Sequence, residues 1–374
     1  MQPNTLNYII NRSVNNVDIL LTEGVMGLFD GAINGSSSTA DISTKLGLPV
    51  LLVIDCSGMG SSVSALAEGF AKYRSDVVLG GVILNRVNSK RHEIILKESL
   101  AKSEIAVLGV IPESAEIHLP SRYLGLIQAG EYDDLENTIN RIADIIISYV
   151  DIEKILKIIS EVKTDEGPFL EKPIIPTLST NIAIASDDAF TFVYPDLLDS
   201  WHNAGSHLTF FSPLADETPD VNTGAIYLPG GYPELHAKQL SESHKFLSGL
   251  REAAENDKII YGECGGYMVM GKSIMDYSGN TYDMANLFPI HTSLKEKKLT
   301  LGYRNAKLKA SSPLGKLGSI YKGHEFHYAT IQNLNYSESL FTISDAKGNN
   351  IGNSGSRIGN IMGSFIHLID NWDK

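Results

Sequence analysis

The chain has 374 residues, 43% of them hydrophobic and 20% charged, which is too long for one ordinary core and implies two globular domains. A formal net charge of -13 excludes nucleic acid or an anionic membrane as the main partner, because phosphate binding is driven by clustered Lys and Arg, but leaves room for a small anionic ligand. Cys56 and Cys264 are the only cysteines, no leader pattern opens the chain, and no apolar run reaches membrane-spanning length; a soluble cytoplasmic protein is expected, without disulfides or a structural zinc site.

In chain order, the apolar runs 17–22, 50–55, 81–85 and 106–111 read as buried strands, and 62–73, 91–102 and 135–150 as helices. Such alternation predicts a parallel, doubly wound α/β sheet, with ligands gathered at the carboxyl ends of its strands. The stretch 162–180, rich in proline and opening on Asp165-Glu166-Gly167-Pro168, reads as a linker. It separates a first domain, 1–161, from a second, 181–374, whose strands are expected at 181–186, 208–211, 225–228 and 259–262. After about residue 285, short β-like pieces replace the helical signal.

The segment Tyr261-Gly262-Glu263-Cys264-Gly265-Gly266 joins an apolar run to a helix-compatible one. A cysteine at such a corner is presented outward beside free backbone N–H groups, as in a nucleophile elbow, and a helix N-terminus favours its thiolate. Alone, it reads rather as a small buried residue closing a glycine turn. The corner Leu228-Pro229-Gly230-Gly231 also follows a strand, so the Gly231 and Gly265 amides are candidate oxyanion donors. A thiol nucleophile needs a base, and His324, His327 and His367 are the candidates near loop ends. His324 and His327 fall on opposite faces of a strand, which argues against a shared metal.

In the first domain, Glu23 and Asp30 flank a glycine-rich corner after the run 17–22, where carboxylates suit Mg2+ bridging nucleotide phosphates; a solvated turn is the plain alternative. Asn85 ends a strand with an amide suited to an adenine edge, although such an Asn also reads as a turn residue. The first domain, 1–161, contains no phosphate-loop pattern G-x-x-x-x-G-K-[ST]. A shortened gene product, a misassigned start, or a second polypeptide supplying the loop are the alternatives, and a missing first strand would expose a sheet edge.

The ordered series EGVMGLFDG from Glu23, AIASDDA from Ala183, LPGGYPELHA from Leu228, YGECGGYMVMG from Tyr261, GYR from Gly302, GHEFHYA from Gly323 and GSFIHL from Gly363 resembles cobyrinate a,c-diamide synthases from about residue 17 to the end. The resemblance implies an incomplete P-loop NTPase domain of the dethiobiotin-synthetase type, followed by a class I glutamine amidotransferase domain. It implies Cys264 as nucleophile on the glutamine amide and His367 as its activator. Many relatives carry a carboxylate two residues after this histidine; Ile369 stands there and Asp370 is out of register, so a dyad is expected.

The resemblance further implies Glu23 as a metal ligand, Asn85 and Arg86 as an adenine-contacting pair, and Pro112 and Glu113 in a second adenine-side loop. Arg122 matches a family loop in which Tyr123 replaces the usual histidine. The implied reaction is ATP- and Mg2+-dependent amidation of the a and c carboxylates of cobyrinate, with glutamine as ammonia source. Arg304, His324 and His327 are candidates for gripping the corrinoid. The hydrogenobyrinate-specific enzyme, a chain with glutaminase activity alone, and a remnant without activity are the alternatives; homodimerisation is left open.

Overall fold

The computed structural model describes residues 1–372 except 118, 120, 123–124, 127, 133, 160–172, 297 and 333–337. Tyr123 and the first part of the expected linker therefore lie outside the described residues, as does the side chain of Arg122. The chain forms two compact units, one made of 18–31 and 35–164, the other of 1–17, 32–34 and 165–374.

The first of these units is built on three parallel strands in sequence order, β1 (Val50–Asp55), β2 (Leu79–Val87) and β3 (Val107–Pro112). α3 (Ser62–Tyr73) and α4 (Lys90–Leu100) contribute Val63, Ala67, Leu96 and Leu100 to a core with Ile54, Val82 and Leu84. Cys56 is fully buried in that core, so its thiol is a packing group. α5 (Leu135–Tyr149) and α6 (Ile152–Ile158) follow β3, and the two-residue strands β4 (Ser121–Arg122) and β5 (Gly125–Leu126) pair with each other.

Two features differ from what the sequence predicts. Residues 17–22 form no strand: Val17, Ile19 and Leu21 find no ladder partner, and Leu21 is 86% exposed. A β-favouring run becomes a strand only where a neighbour satisfies its backbone. An unexpected helix, α2 (Thr39–Leu46), starts at a capping box in which Ser38 Oγ accepts from the Asp41 amide (3.2 Å) and Asp41 accepts from the Ser38 amide (3.0 Å). It stops at Gly47, whose φ of 68° suits a residue without Cβ.

The other unit centres on a six-stranded sheet containing β6 (Asn181–Ala185), β7 (His207–Phe211), β8 (Ala225–Leu228), β9 (Ile259–Glu263), β18 (Ser356–Ile358) and β19 (Ile361–Ser364), in the order β18-β19-β9-β8-β6-β7. All pairs are parallel except β18–β19. Strand alternation sends Ala183, Ala185, Ile226 and Leu228 to a core shared with α8 (Ala237–Glu242), α9 (His244–Glu255) and α10 (Gly265–Met270). Ile182, Ile184 and Tyr227 point the other way.

That second face is covered by α7 (Pro195–Asn203) and by a five-stranded antiparallel sheet in the order β17-β16-β13-β14-β20. Its members are β13 (Thr300–Leu308), β14 (Ile320–His327), β16 (Phe341–Ser344), β17 (Asn350–Ser354) and β20 (His367–Asn371). β10 (Ser273–Met275), β11 (Thr281–Asp283), β12 (His291–Ser293) and β15 (Thr330–Gln332) make a smaller sheet, so β structure does dominate after residue 285.

α1 (Pro3–Val14) packs with this second unit rather than the first: Asp370 accepts from the Gln2 amide and from Thr5 Oγ1 (3.1 Å), and Arg12 pairs with Asp196 and Asp199. Ile174, Ile175 and Leu178, within the expected linker, are buried in its core. Apolar residues at these three positions cover a sheet face.

Candidate active site

Cys264 sits between β9 and α10 with φ 50° and ψ -106°. For a residue with a Cβ this is a strained conformation, on the order of 1–3 kcal/mol, and it turns the side chain out of the strand-to-helix corner. The neighbouring glycines are required by close approach. A Cβ at Gly266 would collide with the Leu228 carbonyl, and one at Gly231 with the Ala189 carbonyl. The Gly231 nitrogen lies 3.1 Å from where a Gly265 Cβ would stand, so the two glycine corners expected to supply oxyanion donors do meet.

His367 opens β20 and is 4% exposed. A Cβ placed on Gly230 would collide with its Cε1, at 3.3 Å from Nε2 and 3.4 Å from the Cys264 Cβ. Gly230, Cys264 and the Nε2 edge of His367 therefore converge on one point. The ring stacks on His324 with centroids 4.9 Å apart and planes at 9°, and His324 Nε2 is 2.5 Å from the Tyr194 hydroxyl.

Burial, with help from His324 and His327, holds the His367 imidazole down to about 3, so it is neutral near pH 7. Burial first, then the Glu234 carboxylate, pushes the Cys264 thiol up to about 12, against a lowering contribution from the Gly265 amide. The expected helix-stabilised thiolate is thus not the resting form: a six-residue helix is outweighed by desolvation and acidic neighbours. A neutral thiol facing a neutral imidazole is suited to proton transfer during attack.

Glu263, which sequence reasoning missed, completes the group. It is 1% exposed, and its Oε2 lies 3.9 Å from His367 Nδ1. Tyr227 donates to Oε2 (2.9 Å), and Tyr261 (2.6 Å) and the Leu368 amide (3.1 Å) donate to Oε1. Burial raises its carboxyl to about 7 despite these three donors. The signal in the sequence is an acidic residue ending a buried apolar strand directly before the nucleophile. Asp370 faces α1 instead.

Arg304 on β13 and Glu325 on β14 form a buried ion pair at 2.5 Å. His327 stacks on Phe365 at 4.0 Å and meets the Ala329 carbonyl through Nδ1 at 2.9 Å, while its buried Nε2 has no hydrogen-bond partner. The charge of Glu325 also bears on Cys264. Of the three residues singled out for substrate, His324 thus stacks on the His367 ring, while Arg304 is held by Glu325 and His327 by Phe365.

In the other unit, Asp55, Asn85 and Glu113 come together at the carboxyl ends of β1, β2 and β3. Arg86, with φ 59°, pairs with Asp55 (2.9 Å) and Glu113 (3.2 Å), all on the surface, and its amide donates to Asn85 Oδ1 (3.0 Å). At these strand ends Arg86 and Glu113 are exposed and Asn85 and Pro112 half-buried. Glu23 and Asp30 are exposed in irregular chain, and Asp30 folds back over Gly27. Among the described residues no three His, Cys, Asp or Glu side chains are grouped to hold a metal ion; Mg2+ that bridges nucleotide phosphates needs only one or two carboxylates from the protein.

Residues 181–373 match the model of a CobB/CobQ-like glutamine amidotransferase domain, and residues 4–121 match an AAA domain, which supports use of ATP. The chain is 43% identical over 371 residues to hydrogenobyrinate a,c-diamide synthase of Brucella anthropi, covering 99% of this chain and 84% of that protein. It is 45% identical to the Rhizobium meliloti protein of the same name, covering 94% and 80%. Among solved structures, PurLQS of Thermotoga maritima aligns with 50% of this chain and 86% of that chain at 15% identity and a TM-score of 0.34, too slight to carry an argument. No described helix is long and apolar enough to cross a membrane. On sequence identity across nearly its whole length, the chain belongs to the a,c-diamide synthase family.

Proposed function

We propose that the second unit hydrolyses glutamine at Cys264 and that the ammonia serves ATP-dependent amidation of the a and c carboxylates of a cobyrinate-type corrinoid, hydrogenobyrinate being the substrate in the relatives' name. The observation that carries this reading is the convergence of Cys264, His367 and Gly230 at a strained elbow.

As sulfur attacks glutamine Cδ, the thiol proton passes to His367 Nε2. The Gly231 and Gly265 amides receive the developing oxyanion. The C–N bond then breaks, ammonia leaves with the proton held by His367, and water cleaves the thioester to glutamate and free thiol. In this reading Arg304, His324 and His327 grip the corrinoid.

Bound ATP supplies the phosphoryl group that activates each carboxylate, with Asn85, Arg86, Pro112 and Glu113 around its base and Mg2+ drawn to Glu23 and Asp30 when nucleotide is present. We place the protein in the cytosol, where ATP and glutamine are abundant.

The test supplies either glutamine or ammonium chloride to the chain with ATP, Mg2+ and hydrogenobyrinate. Amide formation from both, with Cys264→Ser losing only the glutamine-dependent part, is the expected outcome; loss of both in that variant would sink the division of labour. The alternative outcome is glutaminase activity alone. Glutamate release without amide formation under either nitrogen source would select it.

A further inference from the structure

We propose that Glu263 is the positioning residue of the glutaminase centre: its carboxylate orients His367 through Nδ1 and stabilises the imidazolium formed when Nε2 takes the Cys264 proton. The inference rests on the glutaminase reading above and replaces a dyad with a carboxylate-imidazole-thiol relay.

The geometry is specific. Nε2 of His367 faces Gly230 and Cys264, whereas Nδ1 faces Glu263 Oε2 at 3.9 Å. Catalytic contacts of this kind are often long without substrate and tighten when it binds. The carboxylate is fixed before substrate arrives by Tyr227 from β8, Tyr261 from its own strand, and the Leu368 amide from β20. Leu368 follows His367 and Glu263 precedes Cys264, so one carboxylate is tied through backbone neighbours to both reacting side chains. A carboxylate on the Nδ1 side favours the tautomer with Nδ1–H, which leaves Nε2 as the acceptor toward sulfur. Asp370 cannot take this role, because its oxygens are engaged by Gln2 and Thr5.

The titratable surroundings define a pH signature. Facing Glu263 are Tyr227, Tyr261, Tyr194, His367 and Cys264, while His324 and His327 bear on His367. Burial keeps the Glu263 proton on up to about 7, whereas His367 is neutral down to about 3. An acid limb near pH 7 in glutamine hydrolysis thus belongs to Glu263, and deprotonation of the carboxyl switches activity on as pH rises.

The experiment measures glutamate release by the full chain across pH for wild type, Glu263→Gln, Glu263→Asp, Tyr227→Phe and Cys264→Ser. Glu263→Gln keeps the hydrogen-bonding shape without the charge. We expect its kcat to fall about 100-fold or more with KM changed less than about threefold, and its acid limb near pH 7 to disappear. Glu263→Asp recovers part of the rate and keeps a limb. Tyr227→Phe removes a donor to the carboxylate, so its limb moves to higher pH; this variant carries the test if Glu263→Gln does not fold.

A Glu263→Gln rate within threefold of wild type, a fall with the acid limb unchanged, or an unmoved limb in Tyr227→Phe would each overturn the assignment. Wild-type chain that releases no more glutamate than Cys264→Ser would instead overturn the glutaminase reading itself.

Discussion

Single residues carry most of the chemistry, and two substitutions test how. Gly230→Ala places a methyl against His367 Cε1, and the ring, held by its stack on His324, has little room to yield. We expect glutamine hydrolysis to fall about 100-fold or more with KM nearly unchanged, because a small misplacement of the base costs that order in rate; steady-state kinetics with a circular-dichroism melt check it. Burying Glu263 has a stability cost of definite sign. Its folded-state proton affinity is raised to about 7, so stability is fully present below the unfolded carboxyl range and is lost as pH rises through 7. Each tenfold difference in proton affinity between the folded and unfolded chain is worth about 1.4 kcal/mol. Glu263→Gln removes the dependence, and its melting temperature at pH 8 should exceed that of wild type by several degrees, with the gap closing near pH 5. A gap that widens toward low pH would contradict the sign.

At the scale of elements, the strand-to-helix corner was legible in the sequence because glycine spacing and an apolar run mark it independently of the rest of the chain. The third member of the centre was not. Two residues past His367 stands Ile369, but β20 brings its Leu368 amide to Glu263, and the partner comes from β9. Such a pairing depends on strand order, β18-β19-β9-β8 in one sheet and β14-β20 in the other, which no local spacing encodes. The same holds for α1, a helix not expected from the sequence, whose attachment to Asp370 follows from tertiary contacts. Asp370→Ala strips two acceptors from α1 without touching the nucleophile or its base. It should lower stability by about 1–3 kcal/mol in urea unfolding while leaving glutamine hydrolysis within threefold of wild type. A hundredfold loss of activity would return Asp370 to the catalytic group.

For the whole molecule, the alternation of strands and helices correctly announced two α/β units, and most strand positions were readable from Val, Ile and Leu runs alone. The run at 17–22 lacks the partner a strand needs, and in the proline-rich stretch Ile174, Ile175 and Leu178 supply core. Nucleotide affinity belongs to this scale, because it sums contacts from several strand ends. On the proposed adenine site, Arg86→Ala should weaken ATP binding about tenfold by calorimetry, and unchanged affinity would remove Arg86 from that site. The claim on which all else rests is that Cys264 is the nucleophile of a working glutaminase. Glutamate release from glutamine, followed for wild type and Cys264→Ser under one buffer, tests it most directly: the variant should retain no more than about a thousandth of the wild-type rate. Equal rates in the two proteins would contradict the account.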